Sequence, residues 1–271
     1  MICFLLLLTW TARAQNFEGT IQWSMKYDVT DPAMKAKMAE AQQKQNDPAM
    51  QAKMQEMQAK MNDPQMKAMM DANPQMKAQM EAAMKMVQGG GDMNSMMPKG
   101  FTVKAKGKNL LTKVEGGMMA MEVLYLSDKN QSYQLDRQNK TFSVLPASTG
   151  TSQSNDPQVK VTKTSETTKI LNYLCTKYLV EVSEHGQPVT QVIWTTTDIK
   201  DFDLKSLSKQ RVGGRHSIYY DGMEGVPLRI EMKTPQANIT MEVTDIKREP
   251  LSTSDFMIPA DFKETSGMFG K

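Results

Sequence analysis

Cysteine and histidine are nearly missing from this chain, with two of each in 271 residues. That leaves little with which to build a zinc site or a disulfide framework. An excess of one charge is missing as well: 33 Lys and Arg stand against 30 Asp and Glu, a formal net charge of +3. So small a surplus excludes the strongly basic profile of a dedicated nucleic-acid binder. The cations are also dispersed and poorly interleaved with aromatics, which argues against a single-strand groove. Past the first residues no apolar run is long enough to cross a bilayer, which takes about 20 residues. The sharpest absence is local. Between Asp31 and Met86 there is no Leu, Ile, Val, Phe, Tyr or Trp. What the chain has instead is methionine, 26 in all. With 39% hydrophobic and 23% charged residues it has the means to bury a core.

Ile2 to Trp10 form a short apolar run, and Ala12-Arg13-Ala14 follows just before Gln15. The run is too short to span a membrane and matches the apolar stretch of an export signal, with small residues where a signal peptidase reads. Residues 1–14 are therefore expected to be a signal peptide cleaved after Ala14. The mature protein is expected in the periplasm or cell envelope, with no transmembrane segment. Cys3 lies at the start of the apolar run rather than after it and so is not read as a lipid-bearing cysteine, which leaves Cys175 as the sole mature thiol.

Residues 31–98 read as a helical insert in a β domain. Asp31-Pro32-Ala33-Met34, Asp47-Pro48-Ala49-Met50, Asp63-Pro64-Gln65-Met66 and Asn73-Pro74-Gln75-Met76 repeat one pattern. Asp or Asn before Pro starts a helix: the side chain accepts from orphan N–H groups, and Pro fits the first helical position. The residue before Pro is pushed out of helical geometry, so each start also ends the preceding helix. The pattern predicts three or four short helices rather than one rod. Met50, Met54, Met57 and Met61 fall at helical spacing, and Met76, Met80 and Met84 continue the stripe. Such a stripe suits packing against neighbouring helices or the β domain, an adaptable surface for apolar ligands, or a soft-metal site. These seven methionines are the candidate ligand-binding residues. For a Cu(I) site the candidates are Met54, Met57, Met93 and Met96. Gly89-Gly90-Gly91 and the run to Pro98 read as a hinge.

Elsewhere the pattern has period two. Val226, Leu228, Ile230 and Met232 alternate with Pro227, Arg229, Glu231 and Lys233, and Ile239, Met241 and Val243 alternate with Thr240, Glu242 and Thr244. Each stretch predicts a strand with one buried face. Turn clusters at Asp128-Lys129-Asn130, Arg137-Gln138-Asn139 and Glu184-His185-Gly186 mark a meander of hairpins. Phe17 to Val29 adds a strand ahead of the insert, Ser148 to Gln158 reads as a loop, and Asp201 to Gln210 holds one short helix. About ten antiparallel strands with few helices predict a mainly β fold, a strongly curved sheet or open barrel. The expected layout is residues 15–30 as the first strand, 31–98 as the insert, 99–265 as the rest of the β domain and 266–271 as a flexible tail.

Several segments carry a family resemblance. They are Phe17-Glu18-Gly19-Thr20-Ile21, Lys169-Ile170-Leu171-Asn172-Tyr173-Leu174-Cys175-Thr176-Lys177-Tyr178, Trp194-Thr195-Thr196, Gly225-Val226-Pro227-Leu228 and Asp255-Phe256-Met257-Ile258-Pro259-Ala260-Asp261-Phe262. Residues 16–30 and roughly 101–263 resemble the exported bacterial family catalogued as domain of unknown function 4412. Asn172 stands where that family is expected to carry Gly before the Tyr. The resemblance implies a fold like the LolA/LolB lipoprotein carriers, a curved antiparallel sheet whose concave face shelters apolar ligand beneath helices. Fold alone does not assign function.

Residues for catalysis are scarce. Cys175 lies in a strand pattern, where a lone Cys is a small core residue, and His185 and His216 share no local signature with it. Asp198, Asp201 and Asp203 read as caps for the short helix near Leu204, and Asp221 with Glu224 lacks the ligand density of a calcium loop. Gly213-Gly214-Arg215 reads as a turn. No phosphate loop, dinucleotide fingerprint or hydrolase elbow occurs. The sequence thus predicts a non-enzymatic envelope protein, without a cofactor, that binds an apolar or lipid-like ligand, with an envelope protein as a further partner. The alternatives are a Met-rich Cu(I)-binding protein and an interaction module whose insert docks a partner helix.

Overall fold

The computed structural model describes residues 16–45, 48–61, 63, 65, 97–117, 121–145, 159–184, 187–203, 206–207 and 222–265. Its first strand, β1 (Glu18–Val29), is the seam of the molecule. On one side β1 pairs with β2 (Gly100–Lys106), and a meander follows through β3 (Asn109–Glu115), β4 (Glu122–Leu126), β5 (Gln131–Asp136) and β6 (Thr141–Val144). The second meander runs from β7 (Val159–Ile170) through β8 (Tyr173–Glu184), β9 (Gln187–Thr196) and β10 (Val226–Lys233) to β11 (Ala237–Arg248), which closes against the other side of β1. A last short strand, β12 (Lys263–Glu264), returns parallel to β6. The result is one 12-stranded mixed sheet, ordered β12-β6-β5-β4-β3-β2-β1-β11-β10-β9-β8-β7. It is strongly curved and not closed, with β7 and β12 as its edges.

Local chemistry accounts for these elements. Val226, Leu228 and Ile230 are buried while Arg229 and Glu231 stay half-exposed, as the alternation predicts. Pro227 has no N–H to give to the ladder, and the register slips beside it. A further slip follows Gln22 in β1. Such bulges bend a strand and increase its twist, which a sheet this wide needs in order to curl. The expected turns fall at residues 127–130 and 137–140. The β7–β8 turn departs from expectation: Ile170 pairs with Tyr173, and the left-handed residue is Leu171 at φ 52°, not Asn172. Glycine's freedom is wanted one position earlier than the resemblance implies.

One face of the sheet carries the main core, from Ile21, Trp23, Phe101 and Val103 to Tyr178, Val180, Ile193 and Ile230. Trp23 stacks on its cross-strand partner Phe101 with ring centroids 5.2 Å apart. The opposite face of β3–β5 has its own core of Leu111, Leu124, Leu126, Tyr133 and Leu135. Phe256, in the 3-10 helix Thr253–Phe256, plugs this second core on the way to β12. Asp255 anchors the crossing to Lys104 at 2.8 Å, and Asp261 pairs with Lys140 at 2.9 Å.

The insert leaves the sheet after β1 and rejoins it at β2, between two hydrogen-bonded neighbours. Helix α1 (Pro32–Gln45) begins as the repeats predict: Asp31 Oδ1 accepts from Ala33 N at 2.7 Å and Met34 N at 3.0 Å. Asp63 caps in the same way, accepting from Gln65 N at 2.8 Å. Helix α2 spans Pro48–Met61. The predicted third and fourth helices fall mostly outside the described residues, as do the Ser148–Gln158 loop and most of the helix expected at Asp201–Gln210. Ser206 and Leu207 of the latter are helical, with Asp203 Oδ2 accepting from Ser206 Oγ at 2.9 Å.

Candidate functional site

The insert meets the sheet at the end where β1 stops and β10 turns into β11. There Thr30 N and Asp31 N both donate to Gln236 O, at 2.9 and 3.2 Å, and Met25 N donates to Lys99 O at 2.8 Å. These bonds hold both ends of the insert over the sheet. Beneath them lies a cavity of about 170 Å³, lined by Tyr27, Val29, Met34, Met38, Met97, Thr234, Gln236, Ala237 and Ile239. From the sheet, Tyr27, Val29 and Ile239 belong to the face that carries the main core, since Tyr27 and Ile239 are register partners. Among the described residues, the insert contributes only thioethers. Apart from Met34 and Met38, α1 holds no large apolar residue, so these two, one turn apart, are its whole apolar contact. A volume on the scale of a cavity that binds benzene takes one ring or the end of a chain, not a whole lipid.

The polar equipment of the site is sparse. Tyr27 Oη donates to Met25 Sδ at 3.9 Å, a weak acceptor, and burial pushes the phenol above its usual range. Further along the same row of the sheet, through Ile239 and Met232, sits Gln191, which is 1% exposed with an unpartnered Nε2 among the described residues. Among the described residues no cationic side chain lines the cavity, so exclusion of water rather than charge is what its walls offer a ligand.

The sequence-predicted site residues fare unevenly. Met50, Met54, Met57 and Met61 all lie in α2, as their spacing predicts. Met76, Met80, Met84, Met93 and Met96 fall outside the described residues. The structure instead brings Met34, Met38 and Met97 to the sheet. Met34 belongs to the first repeat, and Met38 follows it at the spacing that marks the second-repeat stripe. That signal is present in the sequence, but the longer run in the second repeat overshadows it. Nothing local marks Met97.

Cys175 is fully buried, its Sγ donating weakly to Tyr173 O at 3.7 Å, and burial raises its pKa to about 11. It is the small core residue that its strand pattern predicts. His185, His216, Asp221 and Gly213-Gly214-Arg215 fall outside the described residues. Glu224 is held by Lys163 at 2.8 Å, and Asp201 pairs with Arg248. Among the described residues no three His, Cys, Asp or Glu side chains gather to hold a metal ion. No described helix is long and apolar enough to cross a membrane.

Among solved structures, an uncharacterized conserved protein from Thermus thermophilus is similar, with a TM-score of 0.38 and 10% identity over 61% of this chain and 80% of that one. LprF from Mycobacterium bovis is similar with a TM-score of 0.30 and 10% identity, over 62% of this chain and 84% of that one. The chain matches no curated protein. A family profile matches residues 84–262, more than half of the chain, although it leaves out β1 and most of the insert. The chain therefore belongs to the family described as Domain of unknown function (DUF4412).

Proposed function

We propose that this protein is an exported, non-catalytic binding module for an apolar, lipid-like ligand, one end of which enters the cavity between the sheet and α1. The observation that carries this reading is the composition of that cavity: mostly aliphatic, aromatic and thioether walls, with Thr234 and Gln236 as polar members and no ionised side chain among the described residues. Flexible thioethers fit chains of differing shape. Displacement of a fluorescent fatty acid tests the reading. Ile239→Arg places a charge in the cavity and is expected to lower uptake about tenfold or more. Uptake unchanged by that variant, with the fold intact, overturns it. Export is tested separately: the mature chain is expected to begin at Gln15, and an intact Met1 in the envelope fraction overturns that.

A second reading, a soft-metal Cu(I) site, is favoured by one observation, the convergence of Met34, Met38 and Met97 on a single cavity. The triple replacement of these three by Leu keeps the apolar walls and deletes the sulfurs. Fatty-acid uptake that survives this change supports the first reading. Tight Cu(I) binding that the change abolishes, without any uptake by the unmodified protein, supports the second.

A further inference from the structure

We propose that the tip of the β7–β8 hairpin is a docking point for a lipid surface bearing anionic headgroups. Two ordinary preferences are broken at one residue there. Leu171 takes the left-handed backbone, at φ 52°, that favours Gly or Asn, and its large apolar side chain is 44% exposed. Leu174, three positions on, is 56% exposed. Strain retained in an exposed turn, with apolar side chains held in water, marks a residue kept for what it contacts. Beside them Lys169, the cross-strand partner of Leu174, is exposed and forms no ion pair among the described residues. Of the carboxylates on neighbouring segments, Glu166 is held by Lys177 at 2.9 Å and Asp201 by Arg248 at 2.6 Å, while Asp198 is exposed.

The size of the tip decides the occupant. A stable protein partner needs about 800 Å² from each side, far more than two leucines at a two-residue turn present. A bilayer interface demands no shape complementarity and accepts apolar side chains with a flanking lysine at the headgroups. The strands between β1 and β8 alternate in direction, so β8 starts at the end of the sheet where β1 starts. The cavity lies at the far end, beside Val29. Docking and ligand uptake are thus separable.

Cosedimentation of the mature chain with vesicles of phosphatidylethanolamine and a minor share of phosphatidylglycerol tests this. The double variant Leu171→Asn, Leu174→Ser is expected to lose about tenfold in vesicle-bound protein. Its thermal midpoint should stay level or rise, because Asn tolerates the left-handed turn, and its fatty-acid uptake should not change. Leu171→Asn alone, which relieves strain, should weaken binding while stabilising the fold; a residue with a merely structural role gives no such split. Lys169→Gln should remove part of the binding that salt screens. Failure of the unmodified chain to sediment with vesicles, or equal sedimentation of the double variant, overturns the proposal. Equal binding to neutral phosphatidylcholine overturns the headgroup assignment.

Discussion

A few side chains are fixed by what surrounds them. Gly225 sits at φ 80°, and a Cβ there would lie 2.2 Å from Thr196 O, so the glycine of Gly225-Val226-Pro227-Leu228 is a requirement of close packing rather than of chemistry. Cys175 is the clearest test at this scale. With its pKa near 11 rather than 9.0, the native thiol should react with iodoacetamide at pH 8 about a hundredfold more slowly than a free thiol. Full reactivity should return in denaturant, and mass spectrometry of the alkylated chain measures both. The raised value also sets a sign: the thiol's contribution to stability is complete below about pH 9 and is lost as pH rises toward 11, because the unfolded thiol ionises first.

Among the elements, the C-terminal crossing is the part whose energy is easiest to isolate. Phe256 is 4% exposed among five large side chains of β3–β5. Its replacement by Ala should cost about 3–5 kcal/mol, read from denaturant midpoints, since the cavity left behind cannot fully collapse. The insert should behave in the opposite way. A short Gly/Ser linker in place of Asp31 to Pro98 should preserve a cooperative melt with strand-type circular dichroism, because β1 and β2 stay paired without it. Fatty-acid uptake should disappear with Met34, Met38 and Met97. These elements are legible in the sequence to very different degrees. The caps at Asp31 and Asp63 and the alternation in β10 are local, and local chemistry writes them plainly. The stacking of Trp23 on Phe101 joins residues separated by the whole insert, and the parallel return of β12 rests on two residues; neither leaves a periodic trace. The cavity is illegible for the same reason, since its walls come from β1, α1, β11 and the far end of the insert.

For the molecule as a whole, ion pairs tie together segments far apart in the sequence. Glu18 Oε1 accepts from Lys106 Nζ at 2.8 Å and from Leu251 N at 2.7 Å, which clasps the start of β1 to the chain leaving β11. Hydrogen bonds from Lys106, Arg248, Lys163 and Lys140 hold the carboxyl groups of Glu18, Asp201, Glu224 and Asp261 below their usual range. A lowered value means stability that is present above about pH 4.5 and lost as pH falls through the shifted range. The thermal midpoint should therefore drop between about pH 5 and pH 2, and Glu18→Gln should flatten that drop. The position of β1 also has a kinetic consequence. Its partners are Lys106 to Gly100 on one side and, on the other, a strand that ends at Arg248. Among the described strands β1 comes first in the chain, yet it is completed only when β11, near the other end of the described chain, pairs with it. Pairing over such sequence distance is slow, because the loop must close before the contacts reward it. A nascent chain lacking β11 has an unfinished seam, so the sheet is joined across β1 only once the chain has been made through Arg248.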